Sequence, residues 1–235
     1  MIGKTFLALL ATFAIGWSQQ ARADDVPDTV IFSEDFSGYT NGSVLKWLGS
    51  RGFQPKQDAS NASKIVYTVR DETLLIEAKQ RALGLLIDET DFFTATHIRI
   101  DWGVDSFPPG ASYEKGIRSD AIMVYVFFGD KKVSSGSMLV PDSPYFIGLM
   151  LCESGRTDYP YTGRYFKAGG RYVCVNQTTA GKPLVSVFPI ADAFKEYFGK
   201  STTPPVSGFA IAIDTDGAKG NATAKSFITK IEFLR

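Results

Sequence analysis

The stretch HIRIDW, residues 97–102, decides the fold class of this chain of 235 residues. Ile98, Ile100 and Trp102 are apolar and alternate with three polar side chains, so an extended backbone places them on one face. The stretch FAIAI at residues 209–213 alternates in the same way between large and small apolar side chains. Alternation with a period of two is typical of antiparallel strands that have one buried face and one more polar face.

Short runs of this kind recur along the chain and are separated by Gly, Pro, Asn and Asp. We expect about eleven strands, at residues 29–34, 64–69, 73–78, 83–88, 97–104, 120–128, 146–152, 171–175, 184–188, 208–213 and 225–234. Only residues 190–199 have helical character, with Asp192 as the N-terminal cap and Gly199 at the end. Without repeated βα alternation, this pattern predicts an all-β, two-sheet antiparallel sandwich, jelly-roll-like in type, with one short helix.

Residues 1–23 have the three parts of a cleavable signal peptide. Lys4 supplies a positive charge, residues 5–17 form an apolar run, and residues 21–23 form a small-x-small cleavage box. The run is shorter than the about 20 residues that span a bilayer, although an uncleaved anchor is the alternative. We therefore expect residues 24–235 to form a single β-sandwich domain that is periplasmic or secreted, with no membrane span in the mature chain.

The charge balance excludes one class of partner. The sequence contains 25 Lys and Arg and 25 Asp and Glu, and removal of Lys4 and Arg22 with the signal leaves a net charge of −2 (23 − 25). No cluster of Lys and Arg occurs in the sequence. Nucleic-acid binding is therefore not expected.

The two cysteines, Cys152 and Cys174, each fall in an apolar, strand-like run. If those strands are antiparallel neighbours, an oxidising compartment would favour a disulfide between them. Closing a separation of 22 residues (174 − 152) would stabilise the fold by about 3 kcal/mol in the chain-entropy description. The alternative is two buried free thiols.

Five segments share a family pattern: the strand ending in Asp101-Trp102, Lys115-Gly116 before Asp120, VYVFF at 124–128, the helix at 193–199 and IAIDTD at 211–216. Together they resemble an uncharacterised family of exported bacterial proteins, the domain of unknown function 3047, over most of the chain after about Thr73. Ser119, Met123 and Gly217-Ala218 depart from that pattern, which has an acidic pair, an Arg and a polar pair there. The resemblance implies a β-sandwich in the bacterial envelope and carries no activity.

The turn at residues 214–221, DTDGAKGN, groups oxygen donors directly after a core strand. Calcium is bound by six to eight oxygens, and this turn is too short for an EF-hand loop. We therefore consider a structural calcium ion held by Asp214 and Asp216 together with Glu34 and Asp35 from the first strand. The alternative is a hydrogen-bonded turn without a metal.

No set of residues in the sequence points to catalysis. His97 is the only histidine, and no Gly-x-Ser-x-Gly elbow accompanies it. One histidine and two cysteines do not form a zinc site of several His or Cys ligands. Paired carboxylates such as Asp120, Asp214 or Asp216 leave a polysaccharide-acting hydrolase as an alternative function.

Aromatic residues concentrate in two loop regions. Tyr159, Tyr161 and Tyr165 lie between the two cysteine strands, and Trp102 and Tyr113 flank a Pro-Pro-Gly turn. Flat aromatic faces beside polar groups suit sugar rings, although tyrosines also pack at the ends of sandwiches. Our leading hypothesis is therefore a non-catalytic exported sandwich that binds a glycan or other envelope component through these side chains. A structural or assembly factor that pairs through a sheet edge is the third hypothesis.

Overall fold

Two β-sheets packed face to face dominate the part of the chain that the computed structural model describes, residues 27–235. The predicted class, an all-β, two-sheet, jelly-roll-like sandwich, is confirmed. The predicted signal peptide and its cleavage site lie outside the described residues. Within them, no helix has both the length and the apolar character needed to cross a bilayer.

The first sheet contains six strands in the order β10-β6-β12-β4-β3, and β1 also pairs with β12. They are β1 Val30–Asp35, β3 Ile65–Arg70, β4 Thr73–Ala78, β6 His97–Ser106, β10 Lys182–Phe188 and β12 Ala224–Leu234. The long strand β12 is the centre of this sheet. It pairs with β6 on one side, and on the other side it pairs with β4 over its first half and with β1 over its second half.

The second sheet also contains six strands, in the order β2-β5-β11-β7-β8-β9. They are β2 Gln54–Gln57, β5 Leu83–Asp88, β7 Asp120–Val133, β8 Ser143–Cys152, β9 Gly170–Gln177 and β11 Val206–Asp214. All pairs in this sheet are antiparallel except β8 with β9, which is parallel. This one parallel pair differs from the antiparallel arrangement expected for the cysteine strands.

The main core lies between the sheets and is built from the inward-facing residues of strands whose side chains alternate between the two faces. Ile98, Ile100 and Trp102 from β6 meet Phe209, Ile211 and other large side chains from β11, all of them almost fully buried. The alternation in the sequence therefore assigned the buried face correctly. Fully burying side chains of this size contributes about 1.5–3 kcal/mol each.

One helix and one strand of the structure were not predicted from the sequence. Helix α1, Val44–Ser50, starts after Ser43, whose hydroxyl accepts a hydrogen bond from the Lys46 N–H at 3.3 Å. The edge strand β2 is exposed throughout and has no apolar alternation. Neither element is long or periodic enough to be recognised by its hydrophobic pattern.

Helix α2, Ile190–Phe198, corresponds to the predicted helix, and Gly199 ends it in the left-handed conformation at φ 61°. The prediction that Asp192 caps this helix was wrong. Pro189 occupies the capping position, and Asp192 lies inside the first turn, where its carboxylate forms an ion pair with Lys195 at 2.6 Å. There the carboxylate still interacts favourably with the positive end of the helix dipole.

Candidate functional site

A second, smaller core covers the outer face of the second sheet. It contains Met123, Met150 and Ala212, and three tyrosines, Tyr113, Tyr125 and Tyr172, pack against it. Because neighbouring residues of a strand point to opposite faces, these side chains point away from the main core. The outer face of this sheet is therefore a packed layer.

Two loops make this covering. Residues 107–119 connect β6 to β7, and residues 153–169 connect β8 to β9. Since β8 and β9 are parallel, the 153–169 loop must run back along the sheet, and parallel strands require such a crossover. Along this path Tyr161 pairs with Tyr172 through two main-chain hydrogen bonds of 2.9 Å. The crossover therefore runs along the free edge of β9, and from there the Tyr161 side chain reaches the outer face of the sheet.

The aromatic rings on this face form a continuous group, which we call the tyrosine layer: Tyr113, Tyr125, Tyr161 and Tyr172. The ring centroid of Tyr113 lies 5.7 Å from that of Tyr161 and 5.6 Å from that of Tyr172. The centroids of Tyr125 and Tyr172 are 6.2 Å apart. Aromatic pairs at these separations stabilise by about 0.5–1.5 kcal/mol beyond the area that they bury.

A disulfide between Cys152 and Cys174 closes the base of the 153–169 loop, with Cα atoms 5.8 Å apart. The pairing of the two cysteines was predicted, but the strands that carry them are parallel. A register shift between Met150 and Leu151 offsets the strands, so that Cys174 pairs with Met150 and Cys152 pairs with Gln177. The bond therefore links the strands diagonally.

Beneath the tyrosine layer, two carboxylates face one another on neighbouring strands. Asp120 at the start of β7 pairs in register with Asp214 at the end of β11. The Tyr113 hydroxyl donates a hydrogen bond to Asp120 Oδ1 at 3.0 Å, and the Asp216 N–H donates one to Asp214 Oδ1 at 2.9 Å. Among residues 27–235, no basic side chain forms an ion pair with either carboxylate.

Burial dominates the electrostatics of this pair. It raises the pKa of Asp120 well above its usual range, and the charge of Asp214 raises that pKa further, against the lowering effect of the Tyr113 hydrogen bond. Burial also raises the pKa of Asp214 to about 6, although the Asp216 N–H opposes it. Two carboxylates this close in a low-dielectric environment disfavour simultaneous ionisation.

A cavity of about 20 Å³ lies beside Asp120. Tyr113, Ser119 and Tyr161 line it together with the two cysteines. The Ser119 hydroxyl is buried and has no hydrogen-bond partner among the described residues. The volume accommodates about one water-sized sphere, so a sugar ring does not fit.

The turn after Asp214 packs against the end of the 107–119 loop. A Cβ atom at Gly217 would lie 2.9 Å from the Arg118 carbonyl oxygen and 3.1 Å from Ser119 Oγ. Glycine at this position therefore permits the close approach of the turn to the 107–119 loop. The glycine of the Asp-Thr-Asp-Gly motif is therefore required for packing, whereas its aspartates contribute carboxylates.

An open groove lies at the outer edge of the tyrosine layer, with a volume of about 500 Å³. Residues 155–159 and Gln177 line it, and the Gln177 side-chain amide donates a hydrogen bond to the Gly155 carbonyl. The guanidinium of Arg156 lies 3.5 Å from the ring centroid of Tyr159, which is 41% exposed. Asp158 adopts a left-handed backbone conformation at φ 56°, which costs about 1 kcal/mol or more in a residue other than glycine.

Polar contacts hold the groove residues in place from behind. The Tyr161 hydroxyl accepts a hydrogen bond from the Arg156 N–H and donates one to Glu114 Oε1, each at 3.1 Å. Glu114 also accepts a hydrogen bond from Arg156 Nε at 3.1 Å. The Asp158 N–H donates to the carbonyl of Cys174 at 3.0 Å. The disulfide and the tyrosine layer together therefore position the groove.

Three of the five tyrosine and tryptophan residues predicted to bind a ligand come together here. Tyr113, Tyr161 and Tyr159 form a chain of ring contacts, of which the last has centroids 4.8 Å apart. Tyr159 is the exposed member, whereas Tyr161 is buried and supports it. Tyr165 is half-buried and packs against the guanidinium of Arg164 instead.

The assignment of Trp102 as a ligand-binding residue was wrong. Its side chain is 1% exposed and belongs to the core between the sheets. Its indole N–H donates a hydrogen bond to Ser186 Oγ at 2.9 Å, which satisfies its only polar atom. The alternation of β6 directs this ring inward, so no ligand can stack on it.

The proposed set of four calcium ligands is not brought together. Asp214 lies opposite Leu83 at one end of β5, whereas Glu34 interacts electrostatically with Asp88 at the other end. Five residues of extended chain separate these positions by about 17 Å. Among the described residues, no group of three or more His, Cys, Asp or Glu side chains is placed to hold a metal ion.

Each of these carboxylates has its own environment. Glu34 forms an ion pair with Arg51 at 2.8 Å, and Asp35 accepts hydrogen bonds from the main chain and hydroxyl of Ser37. Burial raises the pKa of Glu34 to about 7, and Arg51 opposes this effect. Asp216 is exposed at the turn. Of the original four, only Asp214 is a strand neighbour of Asp120.

Several residues of the site were not identified from the sequence. Arg156, Glu114 and Gln177 surround the exposed tyrosine, and Tyr125 and Tyr172 complete the tyrosine layer. A signal for Tyr172 was available, since it lies two residues before Cys174 and therefore on the same face of β9. His97, half-buried on β6, contacts the Thr96 hydroxyl at 3.0 Å and lies outside this site.

Comparisons with known proteins add no class to the β-sandwich that the two sheets define. No sequence family and no curated protein matches the chain. A carbohydrate-binding module of family 29 is 7% identical with a TM-score of 0.35, covering 86% of this chain and 87% of that chain. The potassium-bound carbohydrate recognition domain of Emp46p is 11% identical with a TM-score of 0.37, covering 84% and 94%. A Trichoderma reesei endo-1,4-β-xylanase is 8% identical with a TM-score of 0.34, covering 76% and 96%. At these TM-scores the similarities carry no argument about a site or a ligand.

Proposed function

We propose that this protein binds a glycan in the groove formed by residues 155–159 and Gln177. The observation that carries the proposal is the stack of Arg156 on the exposed ring of Tyr159, inside an open groove with polar walls. A planar guanidinium and an aromatic ring offer a flat platform, while Asp158 and Gln177 offer acceptors and donors for sugar hydroxyls. Ligand sites typically combine such an apolar surface with a few placed polar groups.

The contacts that hold the groove residues in place support this proposal. Binding to a pre-organised surface loses less conformational entropy than binding to a mobile loop. Here Glu114 and the Tyr161 hydroxyl fix Arg156, and the disulfide lies at the base of the loop. The Asp158 N–H donates to the Cys174 carbonyl, and this bond helps to hold the left-handed conformation of Asp158. Residues in such conformations cluster at binding sites.

The alternative of a polysaccharide hydrolase is less well supported by the geometry. Asp120 is buried, accepts a hydrogen bond from the Tyr113 hydroxyl and lines a cavity of about 20 Å³, and the half-buried Asp214 pairs with it in register. A polysaccharide must reach both acids of a glycosidase from solvent. The assembly hypothesis would use the edge strand β10, where Val185 and Val187 are 58% and 39% exposed. Two side chains form a smaller patch than most protein-binding surfaces.

We also propose that the protein is exported to the periplasm or secreted, and that its ligand is a component of the cell envelope. The signal-peptide features of residues 1–23 and the disulfide Cys152–Cys174 support this location, because disulfides persist in oxidising compartments. Membership of the exported family of domain 3047 stays a prediction.

The test is a glycan array followed by calorimetry on the bound glycan. Tyr159→Ala and Arg156→Ala should each weaken binding by about tenfold, equivalent to about 1.4 kcal/mol for one lost stacking or hydrogen-bonding partner. Tyr165→Ala is the matched control, since it removes a ring of the same loop outside the groove and should leave affinity unchanged. Binding that persists in both groove variants, or a protein that binds no glycan, would overturn the proposal.

A further inference from the structure

The loop between β7 and β8, residues 134–142, carries the two most exposed large apolar side chains of residues 27–235. Met138 is 103% exposed and Leu139 is 93% exposed, whereas no other large apolar side chain in that part of the chain exceeds 58%. We call these two adjacent residues the apolar tip. Because both side chains lie wholly in water, covering them with any apolar phase is favourable.

Hydrogen bonds within the loop hold the apolar tip on a fixed backbone. Ser135 is buried, and its hydroxyl donates to the Val140 carbonyl at 2.5 Å and accepts from the Ser137 N–H at 3.2 Å. The Ser135 N–H donates to Asp142 Oδ1 at 3.0 Å. These bonds connect the two arms of the loop, so its conformation is set before any partner arrives.

Basic side chains lie at the base of the same loop. Lys131 and Lys132 are at the end of β7. The Phe166 N–H donates to the Ser135 carbonyl at 3.0 Å, which brings the next residue, Lys167, close to the same strand end. The three lysines come from separate segments, so the sequence shows no run of basic residues there.

These three lysines are available to an external partner. Each is exposed, and none of them forms an ion pair within residues 27–235. The acids closest to the loop in sequence are Asp130 and Asp142, and the Asp142 carboxylate already accepts a hydrogen bond from the loop itself. The base of the loop is therefore positively charged, although the whole sequence has equal numbers of basic and acidic residues.

We propose that this loop inserts its apolar tip into the surface of a bilayer that contains anionic lipids, while Lys131, Lys132 and Lys167 face the lipid phosphates. Segments that bind at a membrane surface bury apolar side chains about 5–10 Å deep and carry basic residues attracted to anionic lipids. Leu139 lies four residues from Ser143 at the base of the loop, a Cα separation of at most about 14 Å. After insertion the lysines therefore lie within about one Debye length of the headgroups.

The size of the apolar tip favours a membrane over a protein partner. Two side chains at the end of a narrow loop offer much less area than the about 800 Å² per partner of a standard protein interface. A bilayer requires no complementary shape, and its negative surface potential adds the attraction of each nearby lysine. The occupant that matches both the apolar tip and the charge is an anionic lipid surface.

The apolar tip and the glycan groove lie at opposite ends of β8. The strand begins at Ser143, next to the loop, and ends at Cys152, which pairs with Gln177 of the groove. Its 10 residues span about 30 Å. Membrane binding therefore leaves the groove facing solution, and the proposal is independent of glycan binding.

The experiment measures co-sedimentation of the purified protein with phosphatidylcholine vesicles that contain about one third phosphatidylglycerol. Binding should be at least about tenfold tighter than to pure phosphatidylcholine vesicles and should weaken as salt is raised. Met138→Ser combined with Leu139→Ser should weaken binding by about tenfold for each side chain. Because both side chains are exposed, the melting temperature of this double variant should be unchanged. The matched control is Val185→Ser combined with Val187→Ser, which removes exposed apolar side chains on β10 and should leave vesicle binding unchanged.

Two further variants separate charge from insertion. Lys131→Gln combined with Lys132→Gln should weaken binding to anionic vesicles by about fivefold for each lysine. Lys56→Gln, on the edge strand β2 at the opposite side of the sheet, is the control and should have no effect. Leu139→Trp should shift its fluorescence emission to shorter wavelength on anionic vesicles, which adsorption by charge alone would not produce.

Three results would overturn the proposal. The first is an absence of binding to anionic vesicles, and the second is binding that survives in the double variant of the apolar tip. The third is a dimer in solution that dissociates in the same double variant, which would assign the apolar tip to a contact between two copies of the chain.

Discussion

Reduction of the disulfide between Cys152 and Cys174 should lower the stability of the fold by an amount that follows from its place in the chain. The bond joins residues with a sequence separation of 22. The loop-closure entropy that it removes from the unfolded state corresponds to about 3 kcal/mol at 25 °C. For a chain of this length, each kcal/mol shifts the melting temperature by about 2–4 °C, so reduction should lower it by about 6–12 °C.

The assay compares thermal unfolding of the protein with and without a phosphine reductant, followed by circular dichroism. A variant with both cysteines changed to alanine is the control, because reductant should leave its melting temperature unchanged. Hydrogen exchange should accelerate most at the amides of Asp158 and Tyr161, whose main-chain hydrogen bonds to β9 lie next to the bond. An unchanged melting temperature on complete reduction, verified by thiol titration, would refute the entropic reasoning.

The remaining predictions concern the unfolding free energy measured by urea titration. Gly217→Ala should lower it by about 1–3 kcal/mol, because the added methyl group clashes with a main-chain carbonyl. The control Gly49→Ala has open space around it and should be neutral or stabilising, so equal effects of the two variants would contradict this prediction. Trp102→Phe should lower it by about 2 kcal/mol, because a buried hydrogen bond and ring volume are lost, and an unchanged midpoint would place the ring outside the core. Arg99→Met should lower it by about 1–3 kcal/mol, because it removes an ion-pair partner of Glu232, which is 7% exposed. An unaltered unfolding free energy would mean that this ion pair contributes nothing to stability.

Local alternation predicted the strands well, because a strand with one buried face has apolar residues at every second position. The predicted strands at 73–78 and 83–88 match β4 and β5 residue for residue. The partners of each strand could not be predicted in this way. Asp120 and Asp214 are 94 residues apart (214 − 120) and become neighbours only because β7 pairs with β11. Residues that lie far apart in sequence carry no local signal of their contact.

The candidate site shows where sequence patterns gave conflicting answers. Trp102 was assigned both to the inward face of a strand and to a ligand-binding group, and burial decides for the first. The parallel pairing of β8 with β9 was not predictable from the two apolar runs, since alternation is the same for either direction. Its consequence is a crossover loop that pairs with the free edge of β9, and this pairing places Tyr161 as a buried support for Tyr159.

The groove and the buried Asp120 are connected through side chains that are neither fully exposed nor in the main core. Tyr161 holds Arg156 and Glu114 through its hydroxyl, and its ring packs on Tyr113, which in turn donates to Asp120. Small residues on the outer face, such as Ala212, leave room for this second layer. Loops positioned by a rigid sheet commonly carry binding residues. The layer accounts for two features that a minimal sandwich does not need, the buried Asp120 on an outer face and a groove whose Arg156 is fixed by hydrogen bonds.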